Sequence, residues 1–251
     1  MEDFTGKIVA ITGAASGLGR ATAVAFARRG ATLALIDKNE DRLKQVQVEL
    51  GSYDITEPYC LSADLCQRDA CLKFIEAVVN RHGGLDTLCN IAGVLGANRL
   101  SEVSEGQWNL VVGVNLAAPF WLSQAAMPHL IKRGGNIVNV ASSGAFRGEA
   151  YLIPYTATKA ALVHMTRSMA MEFMKENVRI NSVSPGSMIT GIMDEEEFPA
   201  DADGELISRF VGMRPPAEPE AVADLIVYVA SDRAANIHGA NFASDGGVTA
   251  D

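Results

Sequence analysis

Cysteine is scarce in this chain of 251 residues, which contains only four. Cys60, Cys66, Cys71 and Cys89 form no Cys-x-x-Cys pair, and no histidine stands at zinc-binding spacing from them. The sequence therefore predicts no metal site. The pattern indicates buried thiols in a reducing cytoplasm rather than disulfides.

Positive charge is also in deficit, because 30 acidic residues outnumber 21 basic residues and leave a formal net charge of −9. Proteins that bind nucleic acid neutralise its phosphates with clustered lysine and arginine. The composition therefore argues against nucleic acid as a partner.

Long apolar runs are missing as well. The longest nearly apolar stretch, residues 110–122, contains Asn115 and Pro119 and falls short of the ~20 residues that a membrane-spanning helix needs. The N-terminal sequence MEDFTGK begins acidic and lacks the basic and apolar regions of a secretory signal. We expect no membrane association and a cytoplasmic location.

The sequence does contain a regular alternation of short runs rich in valine and isoleucine with longer helical stretches. Strands are predicted at 7–12, 32–37, 85–90, 136–142 and 178–184, with weaker candidates at 58–63 and 241–244. Helical periodicity is found at 17–29, 39–50, 67–82, 104–132, 155–176 and 218–230. Alternation of this kind implies parallel strands joined by right-handed crossovers.

The predicted fold class is therefore α/β. With 48% of its residues hydrophobic, the chain can bury one substantial core, and we expect a single domain over residues 1–251. Its architecture is a doubly wound parallel sheet of the Rossmann type, with about seven strands and helices on both faces. A segment rich in proline and acidic residues, about 188–219, is expected to be an insertion that covers the substrate.

The stretch TGAASGLGRA (12–21) places three glycines between the first predicted strand and the first predicted helix. Gly13 can make the sharp turn, Gly17 lets a ligand approach the backbone, and Gly19 lets the helix pack on the sheet. The free N–H groups and positive dipole of the helix then favour a pyrophosphate. A plain strand-to-helix turn is the alternative, but the position of the glycines favours dinucleotide binding.

Asp37 closes the second predicted strand, 18 residues after Gly19. A carboxylate there can accept hydrogen bonds from the adenosine ribose and repels a 2′-phosphate, so the sequence favours NAD over NADP. Lys38 is adjacent and could soften this preference. The alternative for Asp37 is a cap of the following helix.

The stretch YTATK places Tyr155 and Lys159 four residues apart, on one face of a predicted helix. A tyrosine of pKa ~10 must shift by two to three units to act as a base near neutral pH, which requires ~3 to 4 kcal/mol. A lysine cation about 4 Å away supplies about that much at an effective dielectric constant of ~20. The alternative is a solvated surface pair.

Further motifs follow one another along the chain. NIAG spans 90–93, Asn115 lies in the long helical stretch, and Ser142 precedes Tyr155 by 13 residues. PGSMIT (185–190) and SDGG (244–247) complete the series.

Together with TGAASGLG and YTATK, this order resembles the short-chain dehydrogenase/reductase family over essentially the whole chain. The family pattern consists of TGxxxGxG, NNAG, an asparagine in a helix, a serine, YxxxK, a segment that closes over the nicotinamide, and a C-terminal DGG. The chain departs from it at Ile91, which replaces the second asparagine of NNAG. Ser143 adjoins Ser142, so the choice between them depends on spacing.

The resemblance implies an NAD(P)-dependent oxidoreductase with four catalytic residues. Ser142 would donate a hydrogen bond to the substrate oxygen, Tyr155 would exchange the proton, and Lys159 would lower the tyrosine pKa and hold the nicotinamide ribose. Asn115 would anchor a water between Lys159 and solvent. The alternatives are a strand-end cap for Ser142 and a buried backbone-bonding amide for Asn115.

The resemblance also implies a set of cofactor-binding residues. Asp64 would bond the adenine amino group, with a loop cap as the alternative, and Thr190 would bond the carboxamide. The complete predicted set is Gly13, Ser16, Gly17, Leu18, Gly19, Asp37, Asp64, Leu65, Asn90, Ala92, Gly93, Tyr155, Lys159, Pro185, Gly186, Met188 and Thr190.

The predicted substrate is a small alcohol or ketone, apolar or cyclic. Two segments around the active site are rich in apolar side chains that either contact substrate or pack a lid on the core: Phe146, Tyr151, Leu152, Ile153, Met188, Met193 and Phe198. The acidic run 194–197 is expected to be solvated lid surface. Trp108, Phe120 and Trp121 belong either to the core or to an interface, and the resemblance implies a homotetramer.

Three functions remain open at this point. The first is NAD(H)-dependent interconversion of a secondary alcohol and a ketone, with tyrosine as proton donor and acceptor. The second is an NADPH-dependent 3-oxoacyl-acyl-carrier-protein reductase, which would use the same motifs. The third is a nucleotide-binding sensor or scaffold without enzymatic activity.

Overall fold

In a computed structural model, which describes residues 2–190, 198–210 and 212–250, seven strands form one parallel sheet. Their order across the sheet is β3-β2-β1-β4-β5-β6-β7. The strands are β1 Ile8–Thr12, β2 Thr32–Asp37, β3 Tyr59–Ser62, β4 Thr87–Asn90, β5 Asn136–Val140, β6 Arg179–Pro185 and β7 Asn241–Ser244. All seven predicted strands, including the two weaker candidates, are thereby confirmed.

Helices connect successive strands and cover both faces of the sheet. They are α1 Gly17–Ala27, α2 Glu40–Leu50, α3 Arg68–His82, α4 Glu105–Val112, α5 Ala118–Arg133, α6 Ile153–Glu172, the short α7 Gly204–Ser208, and α8 Pro219–Ala230. A π-helical turn, Gly113–Ala117, joins α4 to α5. The doubly wound α/β prediction is confirmed.

Alternate residues of each strand face opposite layers of helices. In β1, Val9 and Ile11 pack with α1, α2 and α8, whereas Ile8 and Ala10 pack with α3 and α5. A strand in the middle of such a sheet is apolar on both sides because both sides are covered. This explains why the strands appear in the sequence as continuous apolar runs.

The boundaries of α6 differ from the predicted 155–176. The helix begins at Ile153, because Pro154 occupies its first turn, where the missing N–H is not needed. It ends at Glu172, after which the chain turns and enters β6 at Arg179. Tyr155 and Lys159 consequently lie in the first two turns of the helix.

The stretch Glu105–Arg133 is long and apolar enough, by length and composition alone, to cross a membrane. In the structure it belongs to a covering layer of the sheet: Leu122, Ala126 and Leu130 are buried in the core beside α3. It is a core helix of the α/β fold.

The cysteines are all free thiols. Cys71 and Cys89 are buried, as predicted, whereas Cys60 and Cys66 are only partly buried. The prediction of four buried thiols is therefore wrong for two of them.

Candidate active site

A cleft of about 730 Å³ opens at the carboxyl ends of the strands, where the strand order reverses between β1 and β4. Open α/β sheets bind ligands at this point. Sixteen of the 17 predicted cofactor-binding residues line the cleft, together with Ser142; the exception is Asn90. Among the lining residues that sequence reasoning missed are Asn39 and Arg42, near Asp37, and Gln107, Leu110 and Val111 of α4.

The glycine turn leaves no room for side chains. Gly13 has φ +66°, and a Cβ atom there would lie 2.8 Å from the Cα atom of Ala92. At Gly19 a Cβ atom would lie 1.9 Å from the carbonyl oxygen of Gly13. At Gly17, with φ +47°, it would lie 3.3 Å from Thr190. Side chains at these three positions would contact the surrounding protein, and the turn itself lines the cleft.

The N-terminus of α1 faces this cleft without a capping side chain. The helix begins at Gly17, the Ser16 side chain makes no capping hydrogen bond, and no acidic residue occupies the first turn. In α2, by contrast, Asn39 accepts a hydrogen bond from the Arg42 N–H group at 3.0 Å. Free N–H groups at the positive end of a helix suit an anionic phosphate, so this cleft fits a dinucleotide.

Gly19→Ala tests whether this turn has to remain free of side chains. We expect at least about a tenfold weaker binding of NADH and a lower melting temperature, because the added methyl group overlaps a backbone oxygen. NADH fluorescence titration and thermal denaturation measure the two effects. Gly148→Ala is the matched control, since no atom lies within 4 Å of its Cβ position; wild-type affinity in Gly19→Ala would contradict the close packing.

Thr12 connects the ends of two neighbouring strands. Its hydroxyl oxygen accepts hydrogen bonds from the N–H groups of Ile91, at 2.9 Å, and Ala92, at 3.0 Å. The loop after β4 is therefore fixed to the glycine turn after β1. The sequence contains this threonine at the start of TGAASGLG, but its structural role requires knowing that β1 and β4 are neighbours.

Asp37 is oriented by backbone donors. Its carboxylate accepts hydrogen bonds from the N–H groups of Ala15, at 3.1 Å, and Asn39, at 2.9 Å. Because Asn39 caps α2, the alternative interpretation of Asp37 as the helix cap is wrong. The carboxylate lies in the cleft wall, next to Lys38.

Asp64 lies in the same wall, and its carboxylate accepts a hydrogen bond from the Cys66 N–H group at 2.9 Å. This contact agrees with the loop-cap interpretation. A loop cap of this kind does not exclude a ligand contact, so both roles are compatible.

Asn90 does not line the cleft, and the prediction that it binds the cofactor is wrong for its side chain. The residue is 2% exposed, and its amide nitrogen donates to Asn139 at 2.8 Å and to Ser123 at 3.3 Å. Strand periodicity explains this, because Leu88 faces α5 and Asn90, two residues later, faces the same side. Asn90 belongs to a buried polar network in which Asn139 also donates to Thr166 at 2.9 Å.

Ser142, Tyr155 and Lys159 meet at one end of the cleft. Ser142 makes a side-chain hydrogen bond to Tyr155, and its oxygen accepts the Gly144 N–H group at 3.1 Å. The Lys159 ammonium lies 5.7 Å from the centre of the Tyr155 ring and donates to the Val140 carbonyl at 2.8 Å. The hydrogen bond to Tyr155 favours Ser142 over Ser143 for the role implied by the resemblance.

Burial has the largest effect on the pKa values of Tyr155 and Lys159, and the lowering of the tyrosine pKa by the lysine stays a prediction. Burial raises the pKa of Tyr155 to about 12, against the lowering effect of the Ser142 hydrogen bond. Burial also lowers the pKa of Lys159 to about 8. Desolvation disfavours both charged forms.

Asn115 lies in the π-helical turn and is fully buried. Its amide accepts the Val94 N–H group and donates to the Val94 carbonyl, both at 2.9 Å, and donates to Thr158 of α6 at 3.2 Å. The buried-amide interpretation is therefore correct for the side chain. Pro119, four residues further on, has no N–H group that could bond the Asn115 carbonyl.

An apolar cluster borders the tyrosine end of the cleft. It contains Leu95, Ala97, Leu152 and Phe210, with Tyr155, Phe198 and Ile207 packed against it. The Tyr151 ring also packs edge-on against Phe198. Phe146 and Ile153 instead are exposed, while Met193 and the acidic run 194–197 lie outside the described residues.

Comparison with known proteins agrees with this site. A family model described as enoyl-(acyl carrier protein) reductase matches residues 13–249. The chain is 36% identical to the 3-oxoacyl-acyl-carrier-protein reductase FabG of Thermotoga maritima, over 97% of this chain and 98% of that protein. It is 35% identical to meso-2,3-butanediol dehydrogenase of Serratia marcescens, over 98% and 96%.

Solved structures show the same similarity. A short-chain dehydrogenase from Burkholderia cenocepacia in complex with NADP matches with a TM-score of 0.88 and 28% identity, over 98% of each chain. The 3-ketoacyl-(acyl-carrier-protein) reductase from Brucella melitensis, complexed with NADH, matches with a TM-score of 0.88 and 26% identity, over 98% of this chain and all of that one. An enzyme thereby replaces the sensor or scaffold alternative. The chain belongs to the short-chain dehydrogenase/reductase family and is an NAD(P)-dependent oxidoreductase that acts on CH–OH groups.

Proposed function

We propose that the protein interconverts an apolar or cyclic secondary alcohol and its ketone, with NAD(H) as the coenzyme. The observation that supports this best is the contact of Ser142, Tyr155 and Lys159 at a cleft end bordered by an apolar cluster. A proton-transfer group stands there beside a surface that favours apolar carbon over charge.

The coenzyme, when bound, accepts or supplies the hydride. The N-terminus of α1 and the glycine turn would hold its pyrophosphate, Asp37 its adenosine ribose, and Thr190 its carboxamide. Asp64 and Leu65 would border the adenine. The family resemblance implies these assignments, and the presence of these residues in the cleft lining supports them.

The protein's own residues supply the proton chemistry. Ser142 is positioned to donate a hydrogen bond to the substrate oxygen, and Tyr155 to exchange a proton with that oxygen. With a pKa of about 12, Tyr155 holds its proton at neutral pH and is ready to give it to a ketone. Lys159, one helical turn away, stabilises the phenolate that results.

Proton supply to the buried pair requires a route to solvent. Lys159 is 3% exposed. Gly93 adjoins both its ammonium group and the side-chain oxygen of Asn115, since a Cβ atom at Gly93 would lie 3.4 Å from the first and 3.6 Å from the second. A water held by the Asn115 carbonyl would complete this route. The side chain of Asn115 meanwhile fixes the Val94 backbone to α6.

The preference for NAD is proposed from Asp37. We expect wild-type protein to use NADH at least tenfold better than NADPH, because the carboxylate repels a 2′-phosphate, and Asp37→Ser to lose most of this preference. Coenzyme titration at 340 nm measures both. Asp41→Ser, which removes an exposed carboxylate from the first turn of α2, is the control; a tenfold preference of wild type for NADPH would overturn the assignment.

A second candidate is reduction of 3-oxoacyl thioesters with NADPH, which is favoured by the similarity to a 3-oxoacyl-acyl-carrier-protein reductase. Asp37 argues against NADPH as the coenzyme. The deficit of positive charge argues against binding of an acidic carrier protein. Wild-type turnover of a 3-oxoacyl thioester with NADPH, faster than of cyclic ketones with NADH, would favour this candidate.

We further propose a homotetramer that assembles through the 105–133 helix, α6 and β7. Support comes from large apolar side chains that are exposed in the isolated chain, with Trp108 at 45% and Leu110 at 44%. Phe120 is exposed as well, and Met171 and Met174 lie at the end of α6. We expect sedimentation equilibrium to give a molecular mass four times the 26.6 kDa of the single chain.

A further inference from the structure

A carboxyl group that the proton-transfer machinery does not use lies beside the catalytic serine. Glu149 belongs to the segment between Ser142 and α6 and is half-buried. Its carboxyl group packs on Gly144: a Cβ atom there would lie 2.8 Å from one carboxyl oxygen and 3.1 Å from the other. Gly144 is the residue whose N–H group bonds the Ser142 hydroxyl at 3.1 Å.

The carboxyl group of Glu149 is unpaired within the part of the chain that the structure describes. Among the described residues, no hydrogen-bond donor and no ion pair engages it. Arg147 is the nearby cation, but its guanidinium donates to the carbonyl oxygens of Val248, at 2.9 Å, and Arg209. Partial burial without a donor disfavours the charged form of a carboxyl group, and it raises the pKa of Glu149 to about 7 even though Arg147 acts in the opposite direction.

The carboxyl group is close to the reacting atoms. Its charge acts on Tyr155, whose pKa it raises. Through its contact with Gly144 it adjoins the Ser142 hydroxyl, while the apolar cluster that includes Leu152 packs against Tyr155. A substrate that satisfies both surfaces has an apolar body and one extra hydrogen-bond donor near the reacting carbon.

We propose that Glu149 is a specificity-determining residue that accepts a hydrogen bond from a second hydroxyl group, on the carbon next to the one that is oxidised. The preferred substrates are then vicinal diols and the corresponding α-hydroxy ketones. This inference depends on the proposed function of the same site. The second hydroxyl group binds and is not consumed.

The donor is a neutral hydroxyl group rather than an ammonium group. Arg147 beside Glu149 and Lys159 beside Tyr155 are both positive, so a cationic substrate would meet two like charges. A hydroxyl group meets none, and it can also accept a hydrogen bond when the carboxyl group is protonated.

A matched pair of substrates tests the inference: cis-1,2-cyclohexanediol and cyclohexanol share the ring and differ in one hydroxyl group. For wild-type enzyme with NAD, we expect kcat/KM for the diol to exceed that for cyclohexanol by about 10- to 100-fold, the usual effect of a hydrogen bond to a charged group. In Glu149→Leu the ratio should fall to about one, and in Glu149→Gln, which keeps an acceptor oxygen, to an intermediate value.

The ratio separates recognition from other effects. Removal of Glu149 also changes the pKa of Tyr155, but this affects both substrates alike and cancels in the ratio. Glu176→Gln, an exposed glutamate in the turn after α6, is the matched control and should leave the ratio unchanged. Equal kcat/KM values for the two substrates in wild type, or equal losses for both in Glu149→Leu, would overturn the inference.

Two further outcomes discriminate among explanations. If 2-aminocyclohexanol were preferred over the diol, the carboxylate would bind a cation and the hydroxyl assignment would be wrong. If wild-type enzyme oxidised no cyclic alcohol with either coenzyme, the proposed function itself would fail. Turnover of cyclohexanol at the same rate as the diol would leave the proposed function standing and reject only the role of Glu149.

Discussion

Tyr155→Phe is expected to lower kcat about 1000-fold while NADH binding persists, because proton transfer by a positioned side chain contributes about 10²- to 10⁴-fold. The change removes one hydroxyl group, and the ring keeps its packing against the apolar cluster. Steady-state oxidation and reduction, together with fluorescence titration of NADH, measure the two halves of the prediction.

The pH dependence adds a second criterion to this prediction. Since the phenol of the free chain has a pKa of about 12, wild-type alcohol oxidation should rise from pH 7 to pH 10 as the proton acceptor becomes available. The residual activity of Tyr155→Phe should lack that rise. Tyr151→Phe is the matched control: the Tyr151 hydroxyl accepts a hydrogen bond from the Asp203 N–H group at 2.9 Å, away from Ser142 and Lys159. Retention of most activity in Tyr155→Phe would refute the role in proton transfer.

Lys159→Met is expected to lower kcat/KM about 100-fold. At the 5.7 Å that separates the ammonium from the ring centre, a positive charge stabilises a phenolate by about 3 kcal/mol at an effective dielectric constant of ~20. Since 1.36 kcal/mol corresponds to one pKa unit, the pH at which oxidation rises should move upward by about two units. A pH–rate profile measured with NAD and a cyclic alcohol provides the test.

Lys159→Met should also change how the stability of the folded chain depends on pH. Burial lowers the pKa of Lys159 from 10.5 to about 8, so the folded chain binds fewer protons than the unfolded chain between these values. Stability from this group therefore rises with pH from about 8 to 10.5, and the penalty for the buried charge is largest below pH 8. Lys159→Met removes that penalty, although it also leaves the Val140 carbonyl without its donor.

Melting temperatures at two pH values distinguish this effect from simple damage. The melting temperature of Lys159→Met relative to wild type should be more favourable at pH 7 than at pH 10. Lys175→Met, an exposed lysine in the turn after α6, should show no such dependence. A pH-independent difference for Lys159→Met, with an unchanged oxidation profile, would contradict the electrostatic account.

Sequence patterns predicted the seven strands and the position of the cleft because both depend on local features. Continuous apolar runs identified strands covered on both sides. The spacing of Gly13, Gly17 and Gly19 identified the turn. A Cβ atom at each of these positions would lie close to a neighbouring residue. The distance of four residues between Tyr155 and Lys159 placed them on one face of α6.

Other properties of the site depend on contacts between distant segments and were not predictable in this way. The direction of the Asn90 side chain follows from the packing of β4 against α5, and the role of Thr12 from the adjacency of β1 and β4. The pKa values of Tyr155 and Lys159 depend on burial, which the spacing of the two residues does not specify. Glu149 belongs to none of the sequence motifs, and only its contact with Gly144 identified it as a candidate specificity residue.

The amide of Asn115 has a consequence for how such enzymes diversify. By bonding both the Val94 backbone and Thr158, it fastens the loop on the coenzyme side to the helix that carries Tyr155 and Lys159. Glu149 and Phe210, which we propose to lie near the substrate, belong to segments that this amide does not bond. Substitutions at Glu149 or Phe210 should therefore change which substrate is recognised without moving Tyr155 and Lys159.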